Sequence, residues 1–103
     1  MVYTEYVRFE WDPPKAESNL AKHGIPFELA ITVFDDPFAL TAPDERHSTP
    51  DERREWITGE SDVGVLVVVF TSRHRDQTVR IISARRANRK ERRRYEEGRG
   101  ISV

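Results

Sequence analysis

Three arginines share one predicted β-strand, residues 78–86, and are the side chains of this sequence best suited to chemistry: Arg80, Arg85 and Arg86. A guanidinium group offers a rigid fork of N–H donors that pairs with two phosphate oxygens, and a strand directs a side chain better than a loop does. Unless a bulge intervenes, regular alternation places Arg80 and Arg86 on one face and Arg85 on the other. The pattern predicts a phosphate-binding surface. For any one of these arginines, the alternative is an ion pair with an acidic residue of the N-terminal half.

The predicted helix after this strand carries five further cations: Arg89, Lys90, Arg92, Arg93 and Arg94. Such a basic region favours a polyanion, and RNA is the expected partner; the alternative is that the basic half and the acidic N-terminal half neutralise each other across a solvated surface. In RNA cleavage the 2′-OH attacks the adjacent phosphate, which needs a base, an acid and nearby cations but no metal ion. Arg73 joins Arg80 and Arg85 as a candidate cation. Because a guanidinium has a pKa above about 12 and is a poor proton donor, the acid and the base are expected elsewhere.

Candidates for proton transfer come from two other segments. Glu55 begins a predicted strand and Glu52 lies just before it, so either carboxylate can face the arginines, with a surface salt bridge as the alternative. Lys22 and His23 end the first predicted helix, where the helix dipole favours a positive imidazolium. His23 is thus a candidate acid or phosphate ligand, or simply a C-terminal cap.

The remaining histidines are not assigned a role, and two large aromatic residues complete the candidate list. His47 and His74 fall in predicted loops without a visible partner, and the wide spacing of the histidines matches no metal signature, so neither a metal nor another cofactor is predicted. Trp56 and Tyr95 are candidates for stacking on RNA bases. Trp11 is expected in the core instead.

Composition predicts one small soluble domain. The chain has 103 residues, enough for a single core, and 34% of them are charged. Residues 1–51 hold four Lys/Arg and ten Asp/Glu, whereas residues 52–103 hold thirteen and eight, so an acidic half precedes a basic one. The absence of cysteine suits the cytoplasm, and the longest aliphatic run, residues 65–70, is too short to cross a membrane.

Two helices are predicted near the N-terminus, after a strand over residues 3–11. Asp12 is a typical N-cap before two prolines, and Gly24 is a typical C-cap, which predicts a helix ending near His23 with Ala16, Leu20 and His23 on one face. Pro26 opens a second helix. Its buried stripe consists of Phe27, Ala30, Ile31 and Phe34.

The rest of the chain predicts an antiparallel meander and a last helix. Strands are expected over residues 55–59, 65–72 and 78–86, with a turn at 74–77, a short strand near 38–40 and an exposed loop over 41–54. The apolar run 65–70 predicts a central strand that is covered on both faces. Asn88 and Glu91 form a capping box for the last helix, whose one large apolar residue, Tyr95, predicts loose packing or packing on a partner.

The order of motifs along the chain resembles the BrnT toxin family over nearly its whole length. The matching positions are Phe9-Glu-Trp-Asp12, Lys15, Asn19, Lys22-His23-Gly24, Phe27-Glu28, Phe34-Asp35-Asp36-Pro37, residues 55–59, Arg80-Ile-Ile-Ser-Ala-Arg85, Glu91 and Tyr95. The resemblance implies a RelE-like α+β ribonuclease, a type II toxin that cuts RNA and inhibits translation. It also implies a BrnA-type antitoxin that neutralises the toxin in a hetero-oligomer and supplies the DNA binding.

Carried over by position, the matching polar residues are Lys22, His23, Glu55, Trp56, Arg80, Ser83 and Arg85. Catalytic roles are expected for Arg80, Arg85, Glu55, Lys22 and His23, and RNA contacts for Arg73, Ser83, Arg86, Trp56 and Tyr95. The segment 53–59 departs from the family spelling, so Glu52 with Arg53 and Glu55 both stay open as the acidic position.

Two other classes of function compete with a ribonuclease. In a non-catalytic interaction module, the basic surface only docks an acidic protein partner. A direct DNA-binding regulator is disfavoured, because the sequence has no helix-turn-helix or ribbon-helix-helix pattern.

Overall fold

The structure is a computed structural model that describes residues 7–73 and 77–100. Its elements are β1 (Arg8–Glu10), α1 (Pro13–His23), α2 (Phe27–Ala30), a 3₁₀ turn (Ile31–Asp35), β2 (Leu40–Pro43), a second 3₁₀ turn (Glu45–His47), β3 (Arg54–Ser61), β4 (Gly64–Arg73), β5 (Thr78–Arg86) and α3 (Arg89–Gly98). The α+β class is confirmed. Within the described residues, no helix combines the length and the apolar character that spanning a bilayer requires.

The five strands form one sheet in the order β1-β5-β4-β3-β2. Strands β2 to β5 are the predicted antiparallel meander, with β4 in the centre. The prediction of an antiparallel sheet was wrong for one strand, because β1 pairs in parallel with the free edge of β5 and makes the sheet mixed. Part of the predicted first strand, residues 1–6, and part of the predicted turn, residues 74–76, lie outside the described residues.

Helix α1 begins and ends as its caps predict. Asp12 takes the N-cap position, although its side chain makes no capping hydrogen bond, and Gly24 adopts the left-handed conformation with φ 73°. The predicted apolar face was wrong in one respect: Leu20 is 49% exposed, and Asn19 is buried instead. The predicted second helix is a single α-helical turn, α2, that continues as the 3₁₀ turn 31–35.

Asn19 attaches α1 to the sheet beyond the end of β1. Its Nδ2 donates to the carbonyl oxygens of Ala84 at 2.8 Å and Ile25 at 3.1 Å, and its Oδ1 accepts from the N–H of Ala84 at 3.1 Å. The carboxamide therefore replaces a strand partner at the edge of β5, where both backbone groups need hydrogen bonds.

The core lies between the sheet and the segment of α1, α2 and the first 3₁₀ turn. The Phe34 ring packs 5.2 Å from Phe9 and 5.1 Å from Phe70, centroid to centroid. Gly59 lets β3 approach this segment, since a Cβ there would lie 3.1 Å from the Cβ and carbonyl oxygen of Val33. Trp11 packs on Phe27 at 5.8 Å, as expected for a core residue.

Helix α3 is anchored more firmly than its sequence predicts. The capping box of Asn88 and Glu91 is present, but Tyr95 is 1% exposed and its hydroxyl donates to the Asp36 carboxylate. Asp36 also accepts from the backbone N–H groups of Phe38 and Glu60, at 2.8 Å each. The buried ring of Tyr95 and its hydrogen bond to the partly buried Asp36 carboxylate thus anchor α3.

Candidate functional site

A β-bulge in β5 decides which way the predicted arginines point. Val69 of β4 pairs with Ser83 and the next residue, Phe70, pairs with Ile81, so Ile82 is an extra residue. An inserted residue reverses the alternation after it. Arg80 and Arg85 therefore share one face, because the bulge that regular alternation did not include is present. Arg86 falls on the other face, where its Nη1 donates to the Val63 carbonyl oxygen at 2.6 Å.

We call the face of the sheet opposite α1 and α2 the second face. Strand register places three rows of side chains on it. The rows are Arg54-Thr71-Arg80, Trp56-Val69-Ser83 and Thr58-Val67-Arg85, each read from β3 through β4 to β5. A flat sheet surface with arginines on either side of an exposed tryptophan suits a nucleic acid strand.

A depression of about 280 Å³ lies on the second face, and we call it the His47 depression. It is lined by Asp44, His47, Arg54, Trp56, Val67, Val69, Ile82, Ser83 and Arg85. Its floor is apolar, from the valines of β4, and its rim carries the ionisable groups. An apolar floor with a few convergent polar groups is typical of a binding site.

His47 and Asp44 form a pair at this rim. The Nδ1 atom of His47 lies 3.0 Å and 3.2 Å from the two carboxylate oxygens of Asp44. Because an ionised carboxylate only accepts hydrogen bonds, Nδ1 carries the proton and Nε2 is the basic nitrogen. The Asp44 side chain is 6% exposed and that of His47 is 59% exposed. The buried carboxylate thus orients an imidazole whose free nitrogen is accessible to a ligand.

The environment of Asp44 keeps its carboxyl ionised. Burial alone would raise its pKa, but side-chain hydrogen bonds from Trp56 and His47 outweigh burial, so that the pKa of Asp44 is lowered from its ordinary value. The backbone N–H of Asp44 donates to the Arg54 carbonyl oxygen at 2.8 Å, and Ser48 Oγ donates to the Asp44 carbonyl oxygen at 2.7 Å. These bonds tie the turn 45–47 to the start of β3.

Arg85 is held in place by α3. Its Nη1 and Nη2 donate to the two carboxylate oxygens of Glu91 at 2.7 Å and 2.9 Å, a bidentate pair. The hydrogen bond with Glu91 raises the pKa of Arg85, and the same hydrogen bond lowers the pKa of Glu91. The guanidinium is therefore a fixed cation at the depression, about one third exposed.

The other arginines of the second face also have acidic partners. Arg80 Nη1 lies 2.8 Å from Glu10 on β1, the ion pair with the N-terminal half that was the alternative for a single arginine. Glu52 lies 3.1 Å from Arg54 Nε and 3.7 Å from Arg73 Nη2. Of these arginines only Arg54 lines the His47 depression. Arg80 belongs to the row beside it.

The structure brings together some of the residues singled out in the sequence. Trp56, 38% exposed, lines the His47 depression with Ser83 and Arg85. Lys22 and His23 line an adjoining depression between α1 and β5, which shares Ile82 and Ser83 with the first. The bulge at Ile82 therefore lies between two sets of basic groups, Arg54 with Arg85 on one side and Lys22 with His23 on the other.

Other residues are kept apart from the depression. Glu55 pairs in register with Phe70, so it lies on the face of α1 and α2 and does not face the arginines. Tyr95 is buried, and its ring is not available for stacking on a base. Glu52 is the acidic residue of segment 52–55 that contacts arginines of the second face.

Three residues of the site were not among the sequence candidates: Asp44, His47 and Arg54. The spacing Asp-x-x-His within a turn was the available signal, because one 3₁₀ turn brings residues three apart onto the same side. His47 had no visible partner while its segment was treated as an open loop.

Comparison with known proteins shows that most of the chain matches one protein family. Residues 11–91 match a family described as "Ribonuclease toxin, BrnT, of type II toxin-antitoxin system". The match covers every residue that lines the His47 depression. A search of curated proteins finds no significant match.

Proposed function

Because this chain belongs to the BrnT family of ribonuclease toxins of type II toxin-antitoxin systems, we propose that it is a metal-independent endoribonuclease with its active site at the His47 depression. The observation that carries the proposal is the Asp44–His47 pair beside a fixed guanidinium. A ribonuclease that uses the 2′-OH of its substrate needs a base of this kind and a cation.

In the proposed reaction, His47 Nε2 removes the proton of the 2′-OH. The O2′–P bond forms and the P–O5′ bond breaks, so the products are a 2′,3′-cyclic phosphate and a 5′-hydroxyl. Asp44 holds the imidazole in the required tautomer and stabilises the imidazolium that forms. Lys22 and His23, beyond the bulge at Ser83, are the candidates to protonate the leaving O5′.

Arg85 and Arg54 are assigned to the phosphate. Negative charge grows on the phosphorane oxygens, and fixed cations in a partly water-excluded depression stabilise it without reorganising. Besides its part in the bidentate pair with Glu91, Nη1 of Arg85 donates to the Arg86 carbonyl oxygen at 3.3 Å, so the Nε–H of Arg85 and one N–H on Nη2 are left for oxygen atoms of the substrate.

Trp56 is assigned to a base next to the scissile phosphate. Its ring is exposed on the second face between the rows that hold Arg54 and Arg85. Stacking on an aromatic ring tolerates any base and needs unpaired nucleotides, so single-stranded RNA is the proposed substrate.

The same proposal includes the more detailed features that the resemblance to the BrnT family implies. The toxin acts in the cytoplasm, its cleavage of RNA inhibits translation, and its fold is RelE-like. A BrnA-type antitoxin neutralises it in a hetero-oligomer and contributes the DNA contacts. Membership of a type II toxin family supports an antitoxin partner and an RNA target.

The test uses two RNA oligonucleotides of the same sequence, one of them with a single 2′-deoxy nucleotide at the cleavage position. In EDTA, the all-ribose strand should be cut to a 2′,3′-cyclic phosphate and a 5′-hydroxyl, and the deoxy strand should stay intact. Cleavage of both strands, or dependence on a divalent cation, would overturn the mechanism. Intact RNA together with tight binding of the antitoxin would favour the non-catalytic module instead.

A further inference from the structure

We propose that a separate apolar groove, between α3 and the edge strand β2, is the docking site for an acidic amphipathic segment of the antitoxin. The partner's identity rests on the proposed function, whereas the surface and the chemistry of its ligand follow from the structure. This apolar groove has a volume of about 320 Å³ and is lined by Leu40, Thr41, Ala42, Trp56, Thr58, Glu91 and Arg94.

Two exposed apolar side chains line the groove: Leu40 is 36% exposed and Trp56 38%. Phe38, just before β2, is 48% exposed but does not line the groove, and the Arg99 guanidinium lies over its ring. All four residues of β2 are exposed, and β2 is the outer strand of the sheet. Contiguous exposed apolar groups beside an open sheet edge mark an interaction surface. Aliphatic groups such as Leu40 and Ala42 match apolar side chains of a protein better than they match an RNA backbone.

The charge beside the groove indicates an acidic ligand. Five exposed cations lie on α3: Arg89, Lys90, Arg92, Arg93 and Arg94. In the part of the chain that the structure describes, none of the five makes a side-chain hydrogen bond or ion pair. By contrast, the described arginines of β3, β4 and β5 all have a carboxylate or carbonyl partner. A partner that brings carboxylates to α3 and apolar side chains to Leu40 is complementary to both the cationic part and the apolar part of this surface.

The groove also touches the proposed active site. Trp56 lines both the groove and the His47 depression, and Glu91 lines the groove while it holds Arg85. A segment seated in the groove covers one side of the Trp56 ring and lies against the Glu91–Arg85 pair. Docking there therefore competes with RNA for Trp56, which explains how a partner that never reaches His47 can inhibit the enzyme.

The experiment compares two exposed leucines. Leu40→Asp places a carboxylate in the groove, whereas Leu20→Asp makes the same change on α1, outside the groove. Binding of the antitoxin encoded beside this chain is measured by titration calorimetry. Leu40→Asp should weaken the complex by about tenfold or more, as loss of an apolar anchor does, and Leu20→Asp by less than about twofold. Ala42→Arg, which adds a like charge beside α3, is the second groove variant in case Leu40→Asp unfolds.

The acidic character of the ligand is tested separately. Lys90→Glu with Arg93→Glu should weaken binding more than Arg8→Glu on β1 does, and the difference should shrink at high salt. Wild-type affinity in both groove variants, or no binding by the wild-type chain, would overturn the docking site. RNA cleavage by the free chain is followed in parallel, so failure of the ribonuclease proposal shows as absent cleavage while the binding comparison stands on its own.

Discussion

The Nδ1 atom of His47 lies 3.0 Å from the Asp44 carboxylate, which is nearly buried between the turn 45–47 and the start of β3. A buried carboxylate that orients an exposed imidazole is a common arrangement for a general base. Trp56 also helps to lower the pKa of this carboxylate, so the proposed base and the proposed stacking ring both act on Asp44.

Replacing His47 by Ala should lower kcat for RNA cleavage by about a hundredfold or more, since general base catalysis contributes about 10²–10⁴. Arg46→Ala, an exposed change in the same turn, is the matched control and should leave kcat within about twofold. Single-turnover cleavage of a labelled oligonucleotide measures both. Full activity in His47→Ala would remove His47 from the mechanism and return attention to His23.

Arg85→Lys should reduce kcat/KM by about tenfold or more, because an ammonium cannot reproduce the fork that faces Glu91 and the phosphate. Arg80→Lys should have a much smaller effect, since Arg80 pairs with Glu10 and lies outside the His47 depression. The two variants are compared on one substrate. A larger loss in Arg80→Lys would move the phosphate site to the row of Arg54, Thr71 and Arg80.

Trp56→Ala should weaken binding of a non-cleavable 2′-deoxy oligonucleotide by about 1–3 kcal/mol, the usual contribution of a base stacked on an aromatic ring. Trp56→Phe keeps a stacking surface but removes the indole N–H that helps to keep the pKa of Asp44 low, so binding should persist while kcat falls. Fluorescence anisotropy and cleavage rates separate the two effects. Equal binding by Ala and Phe variants would show that Trp56 does not stack.

Because of Tyr95, the free energy of unfolding should decrease at alkaline pH. Burial and the hydrogen bond to Asp36 raise the pKa of Tyr95 to about 12, above the ordinary tyrosine value of 10.0. A raised folded pKa means that the native state holds its proton longer, so the stabilisation is complete below pH 10 and is lost as pH rises toward 12. Denaturant melts should show a loss of up to about 2 kcal/mol across that window.

Tyr95→Phe is the control for this window. The variant should be less stable at neutral pH by about 1 kcal/mol, because the partly buried Asp36 loses a donor, and it should lack the alkaline loss attributed to Tyr95. The same alkaline slope in wild type and variant would assign the titration to other groups.

Asn19→Ala should destabilise the fold by about 2–4 kcal/mol, since the edge N–H and C=O of Ala84 lose their partner in a buried site. Ser18→Ala, on the exposed side of the same helix, should change stability by less than about 0.5 kcal/mol. Thermal melts of both variants measure the difference. An unchanged melting temperature in Asn19→Ala would mean that water replaces the carboxamide.

Much of the fold was predictable because it depends on neighbours along the chain. The caps at Gly24 and Asn88, the apolar run at 65–70 and the strand 78–86 were read from local patterns, and the structure confirms them. The parallel addition of β1 was not predictable in this way, because it depends on which sheet edge remains open once the meander has formed.

The sequence by itself determined which residue types were available: a strand with arginines at 80 and 85, a tryptophan at 56, and a run of cations on the last helix. Tertiary structure decided how they combine. The bulge at Ile82 depends on pairing with β4, and one extra residue reverses every side chain that follows, which puts Arg80 and Arg85 on one face. The same packing buries Tyr95 and turns Glu55 away from the arginines, because these contacts join segments that only folding brings together. The Asp44–His47 pair is local, but its place beside Arg54 of β3 also depends on folding.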